Sequence, residues 1–250
     1  MSRRLFFLPL LALLFLSAKK MDYVRTCLKE AGGEDRYARV ETVDWSFSLA
    51  RPSKQGVVTW QGRQRLKRRG DVFEIREDLD TPEGRWTVWV GSVSWVERDS
   101  VPVTDVEVRD SRVEEARRRA FWGLAPFPLL TPSPVGRYLG SAYFQNRLVR
   151  RVELDPVRRG EIFFPSPFVL FLDTTVPLLR GVVYGTGVES ESYLFEGHEL
   201  HQNLLTTARV WTRFNAEGKR VEVMRVQETL YNSYIDDTLM TFSAHTPQGE

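Results

Sequence analysis

The chain has few of the residues that usually do chemistry. It has one cysteine in 250 residues, Cys27, which excludes an internal disulfide and a cysteine-based zinc cage. It has three histidines, and only His198 and His201 lie close together. Their segment, His198-Glu199-Leu200-His201, is not the His-Glu-x-x-His of a zinc protease helix, and a metal would need at least one further ligand. They read as exposed loop histidines. No G-x-S-x-G nucleophile elbow is present. Gly181, Gly185 and Gly187 lack the spacing of a phosphate-binding loop. Asp236-Asp237 reads as a solvated turn. No catalytic residue, metal or cofactor is implied, and the chain reads as non-enzymatic.

Net charge is scarce too. Thirty-five basic residues face 33 acidic ones, a net charge of +2, which argues against nucleic acid as a partner. The longest greasy run, Leu5–Leu16, falls short of the roughly 20 residues of an ordinary membrane span. No stable transmembrane span is expected in the mature chain. Arg3 and Arg4 precede that run, and Ser17-Ala18 follow it, so residues 1–18 read as a signal peptide. Export to the periplasm or the extracellular space follows. The alternative is a tether formed by an uncleaved signal anchor, because Leu16 is a poor residue three places before a cut after Ala18. Met21 is an alternative start.

What the chain does have is aromatic side chains: seven Trp, fifteen Phe and eight Tyr. Aromatic and β-branched residues favour strands. Two helices are expected. Val24, Cys27, Leu28 and Ala31 share one face of a helix over Met21–Ala31, stopped by Gly32-Gly33. Ser111 with Glu114 reads as the capping box of a second helix, Ser111–Phe121, with Arg117, Arg118 and Arg119 on and around a solvated face. Ala125–Gly136 holds four prolines and reads as a loop, either a crossover or a lid. The rest divides into about ten or eleven strands within a single domain, 19–250. Arg85–Val96 reads as the longest strand region, with Trp86, Val88 and Val90 on one face and Trp89, Val93 and Trp95 on the other. Phe168–Tyr184 reads as strand, turn, strand, with Phe168, Leu170 and Leu172 on one face and Val169 and Phe171 on the other. The tryptophans either line an apolar cavity or fill an ordinary core. The residues proposed for a hydrophobic ligand cavity are Trp86, Trp89, Trp95, Phe121, Trp122, Phe168, Leu170, Leu172 and Trp211.

Three stretches carry a family resemblance. The first is the signal peptide followed by a short helix and Gly32-Gly33. The second is the hairpin of Phe168–Asp173 and Leu178–Tyr184. The third is the tail Asn232-Ser233-Tyr234-Ile235-Asp236-Asp237-Thr238-Leu239-Met240. Together they resemble the LolA/LolB-like lipoprotein carriers of the periplasm. Two departures stand out: Leu200–Thr207 lacks the proline usual before the penultimate strand, and Ala125–Gly136 is longer. The resemblance implies a mainly β, α+β architecture: a strongly curved antiparallel half-barrel with short helices covering the open side. It implies a carrier whose partners are lipid or lipoprotein acyl chains, with an envelope protein as a second partner. The alternative is a structural or protein-interaction module of the envelope with a packed interior. A hydrolase with dispersed residues is a third reading.

Overall fold

A computed structural model describes residues 23–130, 136–154, 158–159, 162–163, 168–185 and 190–240. The signal peptide expected over 1–18 and the alternative start at Met21 lie outside the described residues.

Residues 23–30 form helix α1. All four apolar-stripe residues, Val24, Cys27, Leu28 and Ala31, are buried. The stop is glycine-dependent. Gly32 has φ +125°, and a Cβ there would lie 2.5 Å from the Leu204 carbonyl oxygen. The Gly33 N–H donates to the Leu28 carbonyl at 2.8 Å, closing the helix end. A second short helix that the sequence pattern did not suggest, α2 (Glu34–Ala38), follows at once.

The chain then enters strands β1 (Thr42–Ser53), β2 (Gly56–Arg69), β3 (Val72–Thr81), β4 (Gly84–Val90), β5 (Trp95–Arg98) and β6 (Val101–Pro102). The expected single strand over Arg85–Val96 is a hairpin instead. Gly91-Ser92-Val93-Ser94 turns the chain, and Trp89 pairs directly with Trp95 across β4 and β5. Helix α3 (Val106–Gly123) begins five residues before the expected Ser111. Its N-cap is Asp105, whose carboxylate accepts from the Val108 N–H at 3.1 Å. Ser111 therefore lies inside the helix. The proline-rich stretch is not simply a loop. Its first part forms α4 (Phe127–Leu130), and Phe127, Leu129 and Leu130 are all buried. Residues 131–135 lie outside the description.

The second half supplies β7 (Gly136–Phe144), β8 (Arg147–Leu154), β9 (Arg158–Arg159), β10 (Ile162–Phe163), β11 (Phe168–Asp173), β12 (Leu179–Tyr184), β13 (Glu191–His201), β14 (Leu205–Phe214) and β15 (Arg220–Tyr231). A last turn of helix, α5 (Asp237–Met240), ends the described chain. Tight turns at Gln145-Asn146 and at Asn215–Gly218 join β7 to β8 and β14 to β15; the Asn215 N–H donates to the Lys219 carbonyl at 3.0 Å.

Thirteen of these strands form one antiparallel sheet, in the order β6-β5-β4-β3-β2-β1-β15-β14-β13-β12-β11-β8-β7. β9 and β10 pair separately. The expected ten or eleven strands fall short because the Arg85–Val96 hairpin and two-residue strands such as β6 escape a reading based on apolar runs. The sheet is mainly β and is not closed into a barrel: β6 and β7 are its two edges. Helix α3 packs on β3, β4, β5 and β14 and covers one face of the sheet, while the other, the open face, carries the short terminal helix α5 against β3.

Register sorts the side chains between those faces. Trp45 opposes Gln64, Gln64 opposes Glu77, and Glu77 opposes Val88, so these four share the covered face. Asp44, Arg65, Arg76 and Trp89 form the matching row on the open face. That row is charged: Arg63 clasps Asp44 through two bonds of 2.8 and 2.7 Å, and Arg65 donates to Asp78 at 2.9 Å. Within β11, Phe168, Leu170 and Leu172 are fully buried, while Val169 and Phe171 are partly buried on the other side. The Phe171 ring stacks on Phe144 at 4.4 Å.

Candidate functional site

The candidate site is the packed interface between the covered face and helix α3. It has an aromatic half and a polar half, and α3 bridges them.

Trp122, on the last turn of α3, is the centre of the aromatic half. Its ring stacks on Tyr193 at 4.4 Å, lies 5.8 Å from Phe195 and 6.1 Å from Tyr184, and meets Phe121 edge-on at 4.9 Å. Phe168 lies 5.6 Å from Tyr184, and Trp211 lies 5.8 Å from Tyr193. The cluster exists because β11, β12, β13 and β14 are successive neighbours in the sheet, and alternation turns every second residue of each toward α3. Its rim is polar. The Tyr184 hydroxyl donates to Glu191 Oε2 at 2.5 Å, Tyr193 donates to the same oxygen at 3.3 Å, and Arg213 Nε lies 3.7 Å from Glu191 Oε1. Burial first, and then the Glu191 carboxylate, push the Tyr184 phenol well above its ordinary pKa.

The polar half was not legible as a site. Arg119 is not on a solvated face: its side chain is 1% exposed. Its Nε donates to Glu77 Oε2 at 2.7 Å, and Nη2 donates to Oε1 at 2.5 Å, a two-pronged pair across the α3–sheet interface. Gln64 completes the pair. Its Nε2 donates to Glu77 Oε2 and to the Ala116 carbonyl, both at 2.8 Å, and its Oε1 accepts from Trp45 Nε1 at 3.1 Å. Burial works against the Arg119 charge, but Glu77 outweighs it and holds the guanidinium pKa above its ordinary value. A second group adjoins. Arg51 Nε donates to Glu222 at 2.6 Å, and its Nη2 donates to Glu115 on α3 at 2.8 Å. Burial raises the Glu115 pKa, yet Arg119, Arg51 and Arg112 together bring it below the ordinary carboxylate value.

The nine candidate cavity residues divide accordingly. Phe121, Trp122, Phe168 and Trp211 join the aromatic cluster. Leu170 opposes Val182, and Leu172 opposes Leu179; both lie buried on the covered face. Trp86 is also buried there but at the other end of α3, with the Arg112 guanidinium 4.1 Å from its ring. Trp89 and Trp95 lie on the open face, where Arg76 sits 5.1 Å from the Trp89 ring, so they share no wall with the other seven. The sequence reading missed Tyr184, Tyr193 and Phe195, although their alternation was visible. It also missed Arg119, which the spacing could have found: Arg119 follows Ala116 by three and so falls inside the Val113–Ala116–Ala120 stripe.

His198 and His201 lie on strand β13, not in a loop. His198 is partly buried, and burial chiefly, with Arg180, lowers its pKa to about 4. Asp237 is exposed but paired, with Lys67 Nζ at 2.5 Å. Cys27 is fully buried, and burial pushes its thiol up to about 12, so it is an inert core residue. Among the described residues no group of three or more His, Cys, Asp and Glu side chains could hold a metal ion. Nor is any helix among them long and apolar enough to cross a membrane.

A broad open antiparallel sheet with the long helix α3 laid on one face defines a class of β-scaffold proteins. Within that class the chain has a LolA-like fold. It is similar to a putative outer membrane lipoprotein-sorting protein domain from Vibrio parahaemolyticus, with a TM-score of 0.54 at 14% identity over 87% of this chain and 100% of that one. It is similar to a DUF1329 family protein from Desulfovibrio piger, with a TM-score of 0.55 at 11% identity over 88% and 96%. It is also similar to a LolA superfamily protein from Nitrosomonas europaea, with a TM-score of 0.50 at 10% identity over 88% and 97%. No protein-family model matches the sequence, and no curated protein matches it.

Proposed function

We propose that the protein is a non-enzymatic carrier of acyl chains, from lipids or lipoproteins, working outside the cytoplasm after export. The observation that carries this reading is the aromatic and aliphatic wall beneath α3, in a fold shared with a protein described as lipoprotein-sorting. Acyl chains would lie between that wall and the helices α3 and α4, with α3 and the adjoining proline-rich segment moving to admit them. Each buried methylene contributes roughly 0.8 kcal/mol, so one chain supplies useful affinity without charge pairing. Phe121, Trp122, Phe168, Leu170, Leu172 and Trp211 would contact the chain, with Trp86 at the far end. Trp89 and Trp95, on the open face, are not part of this proposal. The segment 1–18 would direct export, either cleaved or kept as an anchor.

Extraction of the purified protein with organic solvent, followed by mass spectrometry, tests the reading. Co-purifying acyl lipids at near-stoichiometric yield are expected. A protein that carries none and takes up no fluorescent fatty acid would sink it.

A second reading is favoured by one observation. Trp45, Trp122, Trp211, Tyr193 and Phe195 are all fully buried against protein. A packed interior suits a structural or interaction module of the envelope, with an envelope protein as partner. Under that reading, truncating Trp122 or Trp211 costs stability and changes no lipid uptake.

A further inference from the structure

The aromatic wall ends in a polar group whose hydrogen bonding is incomplete. Sheet register builds this group on the covered face. Tyr184 on β12 opposes Glu191 on β13, and Tyr193 on β13 opposes Arg213 on β14. The two phenol rings belong to the wall, 6.1 and 4.4 Å from the Trp122 ring. Their hydroxyls both meet Glu191, whose side chain is 25% exposed. The group therefore runs from the buried rings out to water.

Donors outnumber acceptors there. Glu191 Oε2 accepts both phenol hydroxyls, at 2.5 and 3.3 Å. Its other oxygen stands 3.7 Å from Arg213 Nε, beyond hydrogen-bond reach. Arg213 Nε is buried, and no hydrogen bond satisfies it among the described residues. Glu222, which opposes Arg213 from β15, is no substitute, because it already accepts from Arg51 at 2.6 Å. Arg118 on α3 faces the same group. Burial works against its charge, but the two phenols, Glu191 and Glu114 outweigh burial and raise its pKa. Glu114 lies 3.5 Å from Arg118 and is half-exposed, so it offsets that charge only weakly.

A buried donor without an acceptor costs free energy, and native structures keep few of them. Two guanidinium groups and two phenols around one carboxylate make a cradle for an oxyanion, since carboxylate and phosphate oxygens match the guanidinium fork. The cradle closes one end of an apolar wall. Ligand sites are built this way, with apolar surface for the body of the ligand and a few convergent polar groups for its head. In the polar half, by contrast, Arg119 is already matched by Glu77 on two prongs.

We propose that Tyr184, Tyr193, Arg213 and Arg118 hold the anionic head of an acyl ligand, a carboxylate or a phosphate, and that Glu191 occupies the place of that head in the unloaded protein. The proposal rests on the acyl-carrier reading above and adds the charge of the ligand to it. On loading, the oxyanion of the ligand takes the phenol hydroxyls and reaches Arg213 Nε, and the Glu191 side chain turns to water.

Isothermal titration calorimetry of the purified full chain at neutral pH tests this with three probes of one chain length: laurate, lauroyl-lysophosphatidic acid and monolauroylglycerol. Both anionic probes should bind at least about tenfold more tightly than the neutral one, through charge-assisted hydrogen bonds. The tighter of the two tells a free fatty acid from a phospholipid-type head. Arg213→Gln should bring the anionic and neutral affinities together. Glu191→Gln, which removes the competing charge, should widen the gap several-fold. These opposite signs separate head recognition from damage to the fold, which would weaken all three probes alike. Equal affinity of the parent for neutral and anionic probes overturns the inference and leaves acyl carriage standing. So does a gap that neither substitution moves. Uptake of none of the three overturns the inference together with the carrier reading.

Discussion

The Arg119–Glu77 pair is an ion pair buried on both sides, across the interface between α3 and the sheet. Both side chains are 1% exposed, so neither charge has water to fall back on. Removing one partner of such a pair costs about 3–5 kcal/mol, whereas replacing both with apolar residues of similar volume is far milder. Arg119→Met or Glu77→Gln should therefore each lower stability by about 3–5 kcal/mol in urea denaturation. The double variant Arg119→Met/Glu77→Met should cost clearly less than the sum. Additive losses would mean that the pair is not coupled.

His198 gives a prediction in pH. Its pKa falls from an ordinary 6.5 to about 4 in the folded protein, and its Nδ1 has no partner among the described residues. Between those values the unfolded chain binds the proton and the folded chain does not. Stability is therefore full above the ordinary value and is lost as pH falls toward the folded one, by at most about 3 kcal/mol. His198→Gln should flatten the stability profile between pH 6.5 and pH 4, as followed by thermal melting. An unchanged slope would place the acid sensitivity elsewhere.

At the scale of elements, α3 is held by its ends as well as by its middle. A Cβ on Gly123 would lie 2.6 Å from the Trp45 ring, so the helix passes that indole only because the position is bare. Gly123→Ala should cost about 1–3 kcal/mol through overpacking, despite the better helix propensity of alanine. At the other end Asp105→Ala removes the N-cap bond and should cost about 1 kcal/mol. Circular dichroism during denaturant titration would read both, and a stabilising Gly123→Ala would show that α3 sits further from the sheet.

How these elements were or were not legible follows from what each pattern encodes. α1 and the hairpin of β11 and β12 were legible because each carries its own period: Val24, Cys27, Leu28 and Ala31 for a helix, and Phe168, Leu170 and Leu172 for a strand. The start of α3 was misplaced because Ser111 and Glu114 imitate a cap, while the real cap at Asp105 precedes a turn with no apolar stripe. The hairpin within Arg85–Val96 was missed because Val93, at its tip, is apolar yet 76% exposed. The aromatic half of the site was partly legible from composition. The polar half was not, because Glu77, Gln64 and Arg119 come from β3, β2 and α3, and only the folded sheet brings them together.

For the whole molecule, the two readings of function differ in what α3 does. As a carrier the protein must lift α3 from the covered face, and the Arg119–Glu77 pair, with Gln64 bridging to the Ala116 carbonyl, holds it down. As a packed module it never lifts. Weakening the clasp separates these cases, because a fastening that opposes opening also opposes ligand uptake, while one that only stabilises does not. The double variant Arg119→Met/Glu77→Met keeps the interface apolar and foldable. In the carrier it should take up a fluorescent fatty acid several-fold faster than the parent, and saturating fatty acid should raise its melting temperature. Amide hydrogen exchange in α3 should accelerate in the free protein and slow again on loading. Faster exchange in α3 with neither uptake nor a ligand-dependent melting shift would decide for the packed module, since the helix would then be loosened over an interior that accepts nothing.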